Sequence, residues 1–206
     1  IQTSCSLTGA VLNLPFETRT AQQFRTIRIK CEVKGENFIA WETPSREASF
    51  GLPAIESINI TLNQESGRLR VQANDHYYVL VIEDVKVDDG GNYTCWGSEE
   101  SKSFTLEVDF FSHGVKTPQR LNYGQNGTIQ LELSAYPPLK YHWTKDREEL
   151  TLPTDGKVMD PYSGSIRITR VGRDDAGMYT CRAVWKEGRS TETEDSVEIE
   201  VFVVGE

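Results

Sequence analysis

The sequence contains two related segments, 80–95 and 166–181, whose first residues are 86 positions apart (166 − 80 = 86). In both segments apolar residues alternate with other residues, as at Leu80 and Ile82, which predicts a strand with one buried face. Both then end in the same pattern, Asp-x-Gly-x-Tyr-x-Cys. A repeat of this length indicates that one folding unit occurs twice. The 206 residues suffice for two β-sandwiches of about 100 residues each.

The closing pattern of each segment is typical of a corner between two β-strands. A tyrosine two residues before a cysteine can return its hydroxyl to the backbone upstream while its ring covers the edge of the core. Gly91 and Gly177 give the backbone the freedom that such a corner needs. Asp89 and Asp175 can accept local hydrogen bonds in the turn.

In the first half of the chain this corner completes a Cys…Trp…Cys order. Cys31 precedes Trp41 by ten residues, and Cys95 follows. This order is that of an immunoglobulin domain, in which the two cysteines bridge the facing sheets. The sequence therefore predicts an all-β chain of two tandem immunoglobulin-like β-sandwiches, of the I-set type. We expect a Cys31–Cys95 disulfide, a first domain at 1–109 and a second at 110–206.

The second domain has Trp143 and Cys181 but no earlier cysteine to complete the order. Counting back from Trp143 gives Leu133, and counting forward from a glycine gives Leu131. Both leucines share the inward parity of the strand, so either can fill the place of the missing sulfur. We expect the second domain to lack the inter-sheet disulfide, to be the less stable of the two, and to bury Cys181 as an unpaired thiol.

Cys5 has no evident partner within the chain. A bridge from Cys5 to Cys181 would join the start of one domain to the far strand of the next, and two cysteines must approach to within about 7 Å to pair. We expect Cys5 to be unpaired, or paired outside this part of the protein.

Three Asn-X-Thr sequons begin at Asn59, Asn92 and Asn126. Together with a structural disulfide they favour the secretory route, because both features belong to extracellular proteins. We expect N-glycosylation at the three asparagines and a location on the extracellular side of the cell membrane, with a secreted form as an alternative. No apolar run reaches about 18 residues, so we expect any membrane anchor to lie outside residues 1–206.

Charge and chemistry exclude several other classes of function. The net charge of −9 disfavours nucleic acid, whose phosphates require a basic face. The three histidines are scattered, without metal-ligand spacing, and no nucleophile elbow, phosphate loop or zinc motif is present. We expect a protein that is not an enzyme and that carries no catalytic residues, metal or cofactor.

The chain resembles the first two immunoglobulin domains of the neural cell adhesion molecule and fasciclin II family. The resemblance rests on Ile39-Ala40-Trp41 after Cys31, on the two corner segments, on the Phe110-Phe111 pair at the domain boundary, and on Tyr136-Pro137-Pro138 before Trp143. It implies a cell-adhesion receptor, often neural, whose first two domains recognise another protein.

In the vertebrate member of that family, two aromatic side chains of the first domain anchor self-recognition. The matching positions here hold Arg28 and Glu83, which cannot fill an apolar pocket as an aromatic ring does. We therefore favour binding to a different protein over binding to a second copy. Arg28, Glu83, Phe110 and Phe111 are the candidate interface residues, although one of the two phenylalanines can equally be core. The alternative function is the ligand-capturing ectodomain of a signalling receptor, such as a growth-factor receptor kinase.

Overall fold

The computed structural model describes residues 11–44, 58–62, 65–74, 77–112, 114–154 and 156–205. The chain divides into two compact units, Ile1–Asp109 and Phe110–Glu206. In the described residues regular structure consists of strands and two single-turn 3₁₀ helices, Val87–Asp89 and Arg173–Asp175. Cys5 and the segment 45–57 lie outside the described residues.

Two sheets form the first unit. The first has the order β1-β3-β8-β7-β6 and is antiparallel throughout. The second has the order β10-β9-β4-β5, with β2 added in parallel to β10. The strands are β1 Val11–Asn13, β2 Thr18–Ala21, β3 Ile27–Lys34, β4 Phe38–Glu42, β5 Asn59–Ile60, β6 Glu65–Ser66, β7 Leu69–Asn74, β8 Tyr77–Ile82, β9 Gly91–Gly97 and β10 Ser101–Ser112.

The second unit repeats this plan. One sheet has the order β11-β19-β18-β14-β15, with β11 parallel to β19, and the other has the order β12-β17-β16. The strands are β11 Gln119–Asn122, β12 Gly127–Ile129, β13 Leu133–Tyr136, β14 Lys140–Lys145, β15 Glu148–Glu149, β16 Lys157–Met159, β17 Ile166–Ile168, β18 Gly177–Trp185 and β19 Thr193–Val204. The predicted fold class, two tandem immunoglobulin-like sandwiches, is confirmed.

Strand alternation produces the core of each unit. Along β3 the inward residues Ile29, Cys31 and Val33 are buried, whereas Arg28 and Lys30, at the alternate positions, are exposed. Trp41 and Trp143 lie at the centre of their sandwiches, and each indole N–H donates to a backbone carbonyl. The acceptors are Tyr78 O at 3.1 Å and Gly164 O at 3.0 Å. These acceptors are again 86 residues apart (164 − 78 = 86), so both tryptophans are held at the same place in the repeat.

Both tyrosine corners form. The Tyr93 hydroxyl donates to Asp89 O at 2.7 Å, and the Tyr179 hydroxyl donates to Asp175 O at 3.0 Å. Each aspartate also accepts a backbone N–H with Oδ2 at 2.8 Å, from Lys86 in the first unit and from Gly172 in the second. A buried tyrosine hydroxyl needs such a partner, because its desolvation is otherwise uncompensated.

Cys31 and Cys95 form the predicted disulfide, with a Cα–Cα distance of 6.5 Å. Cys181 is a buried free thiol, and burial raises its pKa to about 12. At neutral pH it is therefore protonated and a poor nucleophile.

Strand register decides which leucine replaces Cys31 in the second unit. Ile27 pairs with Ile82, and Gly127 pairs with Ile168, 86 residues later (168 − 82 = 86). Because Cys31 and Leu131 each lie four positions beyond these starting points (31 − 27 = 131 − 127 = 4), Leu131 is the counterpart of Cys31. Leu133, the other candidate, is also buried but lies two positions further along.

Candidate functional site

The outer surface of the β1-β3-β8-β7 sheet carries the two candidate positions Arg28 and Glu83. Register places Arg28, Val81 and Arg70 in one cross-strand row, and Lys30, Val79 and Gln72 in the next. Because alternate residues of a strand share a face, Arg28 and Lys30 project on the same side. We call this outer surface, with Arg28, Lys30, Arg70 and Gln72, the basic face.

A depression of about 880 Å³ opens on the basic face. Its lining residues are Arg28, Lys30, Leu62, Val71, Gln72, Ala73 and Val79. Val79, which lies in the outward row of Lys30 and Gln72, is 8% exposed, so it forms an apolar floor beneath a basic and polar rim. An apolar recess with a few polar groups at its edge is the usual form of a protein recognition site.

The charges of this face are unequally compensated. Glu83 forms an ion pair with Arg70, whose Nη1 lies 2.6 Å from Glu83 Oε1. Glu83 is therefore a partner for Arg70 rather than an independent anionic anchor. Lys34 lies against Glu32, and its hydrogen bond lowers the pKa of the Glu32 carboxyl. Among the described residues Arg28 and Lys30 make no ion pair.

Lys30 is oriented by an aromatic ring. Its Nζ lies 5.7 Å from the centroid of the Tyr77 ring, a distance at which the ring attracts a cation. This contact keeps the ammonium group at the rim of the depression. Lys30 was not predicted as a site residue, although the alternation Arg28-Ile29-Lys30 in a strand with Ile29 inward contained that signal.

On the outer surface of the β2-β10-β9-β4-β5 sheet lie two of the three sequons. Glu42 on β4 pairs with Asn59 on one side and with Thr94 on the other. Asn92 shares the outward parity of Thr94 and lies opposite Thr105. We call this outer surface, with Asn59, Asn92 and Trp96, the sequon face. The third sequon residue, Asn126, is exposed just before β12, in the second unit.

Phe110 packs against the hydrophobic core of the second unit as a partly buried residue. The core alternative that the sequence left open is therefore what the structure shows for this phenylalanine. The side chain of Phe111 lies outside the described residues. Neither phenylalanine belongs to the basic face.

Several charged residues on the outer surface of the second unit's β11-β19-β18-β14-β15 sheet form ion pairs with neighbours. Arg182 forms an ion pair with Glu194 at 2.6 Å, and Glu187 lies against Lys140 and, at 3.6 Å, against His142. The lysine contact lowers the pKa of Glu187.

The described residues contain no group of three or more histidine, cysteine or acidic side chains placed to hold a metal ion. In the same residues no helix is long and apolar enough to cross a membrane. Both sandwiches carry immunoglobulin-type corners, and their outer sheet surfaces are available for recognition.

The fold defines the class: two tandem immunoglobulin-like sandwiches with exposed sheet faces. Residues 114–184 match the immunoglobulin domain family. A solved pair of titin immunoglobulin domains superimposes with a TM-score of 0.59 at 14% identity, covering 95% of this chain and 97% of that one, which shows the fold alone.

Among curated proteins the chain is similar to Protein turtle of Drosophila melanogaster, at 27% identity over 84% of this chain and 11% of the relative. It is similar at 25% identity to the human MAM domain-containing glycosylphosphatidylinositol anchor protein 2, over 77% and 17%. It is also similar at 24% identity to the neural cell adhesion molecule 1 of Gallus gallus, over 85% and 16%. The predicted resemblance to immunoglobulin-superfamily adhesion molecules is confirmed. The chain spans under a fifth of the length of each of these relatives.

Proposed function

We propose that this chain is an extracellular recognition module of a cell-surface adhesion receptor, and that it binds another protein through the basic face of its first domain. The observation that carries the proposal is the depression with Val79 at its floor and Arg28 and Lys30 at its rim, two cations that form no ion pair with other described residues, in a chain of net charge −9. Isolated positive potential on an acidic protein steers a partner of opposite charge to one face.

The partner's chemistry follows from the same surface. An acidic protein surface complements Arg28 and Lys30, and an aliphatic or aromatic side chain at its centre fills the recess above Val79. A second copy of the chain is the less favoured partner, because two copies that each carry a net charge of −9 repel one another. The described residues that line the recess include no His, Cys, Ser, Thr, Asp or Glu side chain, which favours a binding role over catalysis.

Extracellular exposure of the module is supported by the sequons and the disulfide. The side-chain oxygen Oδ1 of Asn92 accepts a hydrogen bond from the Thr105 hydroxyl at 2.7 Å. The Oδ1 of Asn126 accepts one from the backbone N–H of Arg170. A glycan attaches to the other amide atom, Nδ2, so these contacts are compatible with N-glycosylation. We propose glycans at Asn59, Asn92 and Asn126. Two of the relatives are named as a neural cell adhesion molecule and as a glycosylphosphatidylinositol anchor protein, which supports neural adhesion and a membrane anchor elsewhere in the protein.

Charge reversal tests the basic face directly. The multimerised, glycosylated chain is titrated onto neural cells, and the double variant Arg28→Glu/Lys30→Glu is compared with Lys116→Glu/Arg120→Glu. The control pair is exposed in the second domain and changes the net charge equally. We expect the first variant to lose apparent affinity by roughly tenfold or more and the control to bind as the unmodified chain does. Equal binding by all three proteins would contradict the proposal.

Sedimentation equilibrium up to high micromolar concentration tests the choice of partner. We expect a monomer throughout, as for a module that binds a different protein. A concentration-dependent dimer that the Arg28→Glu/Lys30→Glu variant abolishes would instead assign the basic face to self-recognition.

A further inference from the structure

Trp96 stands on the sequon face with a partly exposed ring. Along β9 the inward residues Tyr93 and Cys95 are buried, and Asn92, Thr94 and Trp96 alternate outward. Trp96 is 41% exposed, whereas the other three tryptophans, Trp41, Trp143 and Trp185, are 0%, 3% and 4% exposed. Trp96 therefore presents a flat apolar surface on an otherwise hydrophilic sheet face.

The indole is fixed beside the first sequon. Its Nε1–H donates to Glu42 Oε2 at 2.8 Å, and Glu42 is the residue directly opposite Asn59 across the β4–β5 pair. Neighbouring strands lie about 4.8 Å apart, so Asn59, Glu42 and Trp96 form one continuous patch. A group attached to Asn59 Nδ2 and directed along the sheet reaches the indole within the length of one or two sugar rings.

The rest of the sequon face suits a sugar better than a protein. The outward positions around Trp96 hold small hydroxyl side chains: Thr94, Ser101, Ser103 and Thr105. Thr94 and Ser103 already pair at 3.0 Å, and Thr105 donates to Asn92. Apart from Trp96, and Ile39 at the β-bulge of β4, these outward rows carry no large apolar anchor of the kind that forms the centre of a protein interface.

A pyranose ring has one face of C–H groups that packs on an indole, and a rim of hydroxyls that bonds carboxylates and hydroxyl side chains. We infer that the glycan on Asn59 folds back over the sequon face and stacks its core sugars on Trp96, with its hydroxyls directed to Glu42 and Thr94. This inference rests on the proposed extracellular, glycosylated state of the module. It makes Trp96 an internal docking site for the protein's own glycan.

The second sequon extends the same cover. Two strand spacings and two residues along β9 separate Asn59 from Asn92, which places them about 12 Å apart. Glycans at both positions span the sheet from β5 to β10. The basic face, on the opposite sheet, then remains as the open protein-binding surface of the first domain.

Tryptophan fluorescence reads this contact without any partner protein. Because three of the four tryptophans are buried, quenching by acrylamide reports mainly on Trp96. The glycosylated chain is compared with Asn59→Gln and with Asn126→Gln, whose sequon lies in the other domain. Stacking covers one of the two ring faces, so we expect Asn59→Gln to raise the quenching constant about twofold, and Asn126→Gln to leave it unchanged.

Two further measurements guard against a folding defect and against misassignment of the signal. Enzymatic removal of the glycans from the folded protein should raise quenching as Asn59→Gln does, without any change made before folding. The variant Trp96→Phe should abolish the quenchable component in glycosylated and deglycosylated protein alike.

Glycopeptide mass spectrometry on the same sample separates this inference from the proposal on which it rests. If Asn59 carries a glycan and quenching is the same with and without it, stacking on Trp96 is overturned and the extracellular proposal stands. If Asn59 carries no glycan, both the docked glycan and the proposed modification of that residue are overturned.

Discussion

The two domains have the same fold, but they differ in how the two sheets are joined at the core. In both, a tryptophan indole donates to the carbonyl at the same position of the repeat, and a tyrosine hydroxyl closes the corner onto the backbone of an aspartate. In the first domain a disulfide joins the sheets beside these groups. In the second, Leu131 stands in the place of Cys31, and Cys181 is an unpaired thiol. The fold is therefore specified by packing and by hydrogen bonds, and the disulfide adds stability to a shape that forms without it.

The largest expected effect follows from removing the disulfide. Cys31 and Cys95 are 64 residues apart in sequence, and a bridge that closes such a loop contributes about 4 kcal/mol on the chain-entropy account. We expect Cys31→Ala/Cys95→Ala to lower the unfolding free energy of the first domain by about that amount, measured by urea titration followed by calorimetry. The second domain should unfold unchanged. If the first domain keeps its stability, the difference between the domains is not due to the bridge.

The opposite experiment builds a bridge in the second domain. Because register makes Leu131 the counterpart of Cys31, we expect Leu131→Cys to pair with Cys181 under oxidising conditions. The disulfide stabilises the domain, whereas loss of the leucine side chain removes packing from its core. The net result should be an unfolding free energy higher by about 2 kcal/mol. Leu133→Cys is the matched control: it should leave two free thiols and only destabilise. Free-thiol titration in denaturant distinguishes the two variants, and a bridge in the Leu133 variant instead would contradict the register.

Leu131 and Leu133 also show where reasoning from sequence ends. Both have inward parity, so alternation alone could not choose between them. The pairing of β12 with β17 decides the choice. The strand is interrupted at Leu131, whose N–H and C=O both bond the Ser165 hydroxyl, at 3.0 Å and 3.1 Å. A side chain 34 residues away thus replaces ladder bonds, and a local pattern contains no trace of it.

The candidate site divides in the same way. The repeat, the corners and the Cys31–Cys95 bridge followed from local motifs, because each is a short pattern with its own geometry. The recess beside Arg28 did not, since it needs Val79 and Gln72 from two other strands in register with Lys30. Trp96 could have been found: it follows the inward Cys95 and so had to face outward.

A smaller difference lies in the cation that holds each corner aspartate. Arg68 donates a hydrogen bond to each carboxylate oxygen of Asp89 at 2.8 Å, and it also donates to the backbone carbonyls of Glu83 and Asp84. In the second domain a single Lys157 Nζ lies 2.8 Å from Asp175. A lysine cannot reproduce the planar fork of an arginine. We expect Arg68→Lys to lower the first domain's unfolding free energy by about 1 kcal/mol, whereas Lys157→Arg should change the second domain little. Equal effects in calorimetry would show that the fork adds nothing.

The smallest expected effect is a difference in the pH dependence of Tm, and it arises from one position at which the two domains differ. The glycine of each corner faces Pro44 in the first domain and Asp146 in the second. The Asp146 carboxylate accepts the Met178 N–H at 2.9 Å and lies 3.0 Å from Lys145 Nζ. The Met178 bond first, and Lys145 next, lower the pKa of Asp146.

A carboxyl whose folded pKa is depressed stabilises the fold above its unfolded pKa, about 3.9, and loses that contribution as the pH falls through the folded value. We therefore expect the second domain's Tm to fall between pH 5 and about pH 3 by more than that of an Asp146→Asn variant. Asparagine suits the test, because residue 146 has a φ of 52°, a conformation that Asn tolerates. The first domain, with Pro44 at this place, should show the same pH profile in both proteins. Superimposable profiles for the second domain would mean that Asp146 holds the corner by its shape and not by its charge.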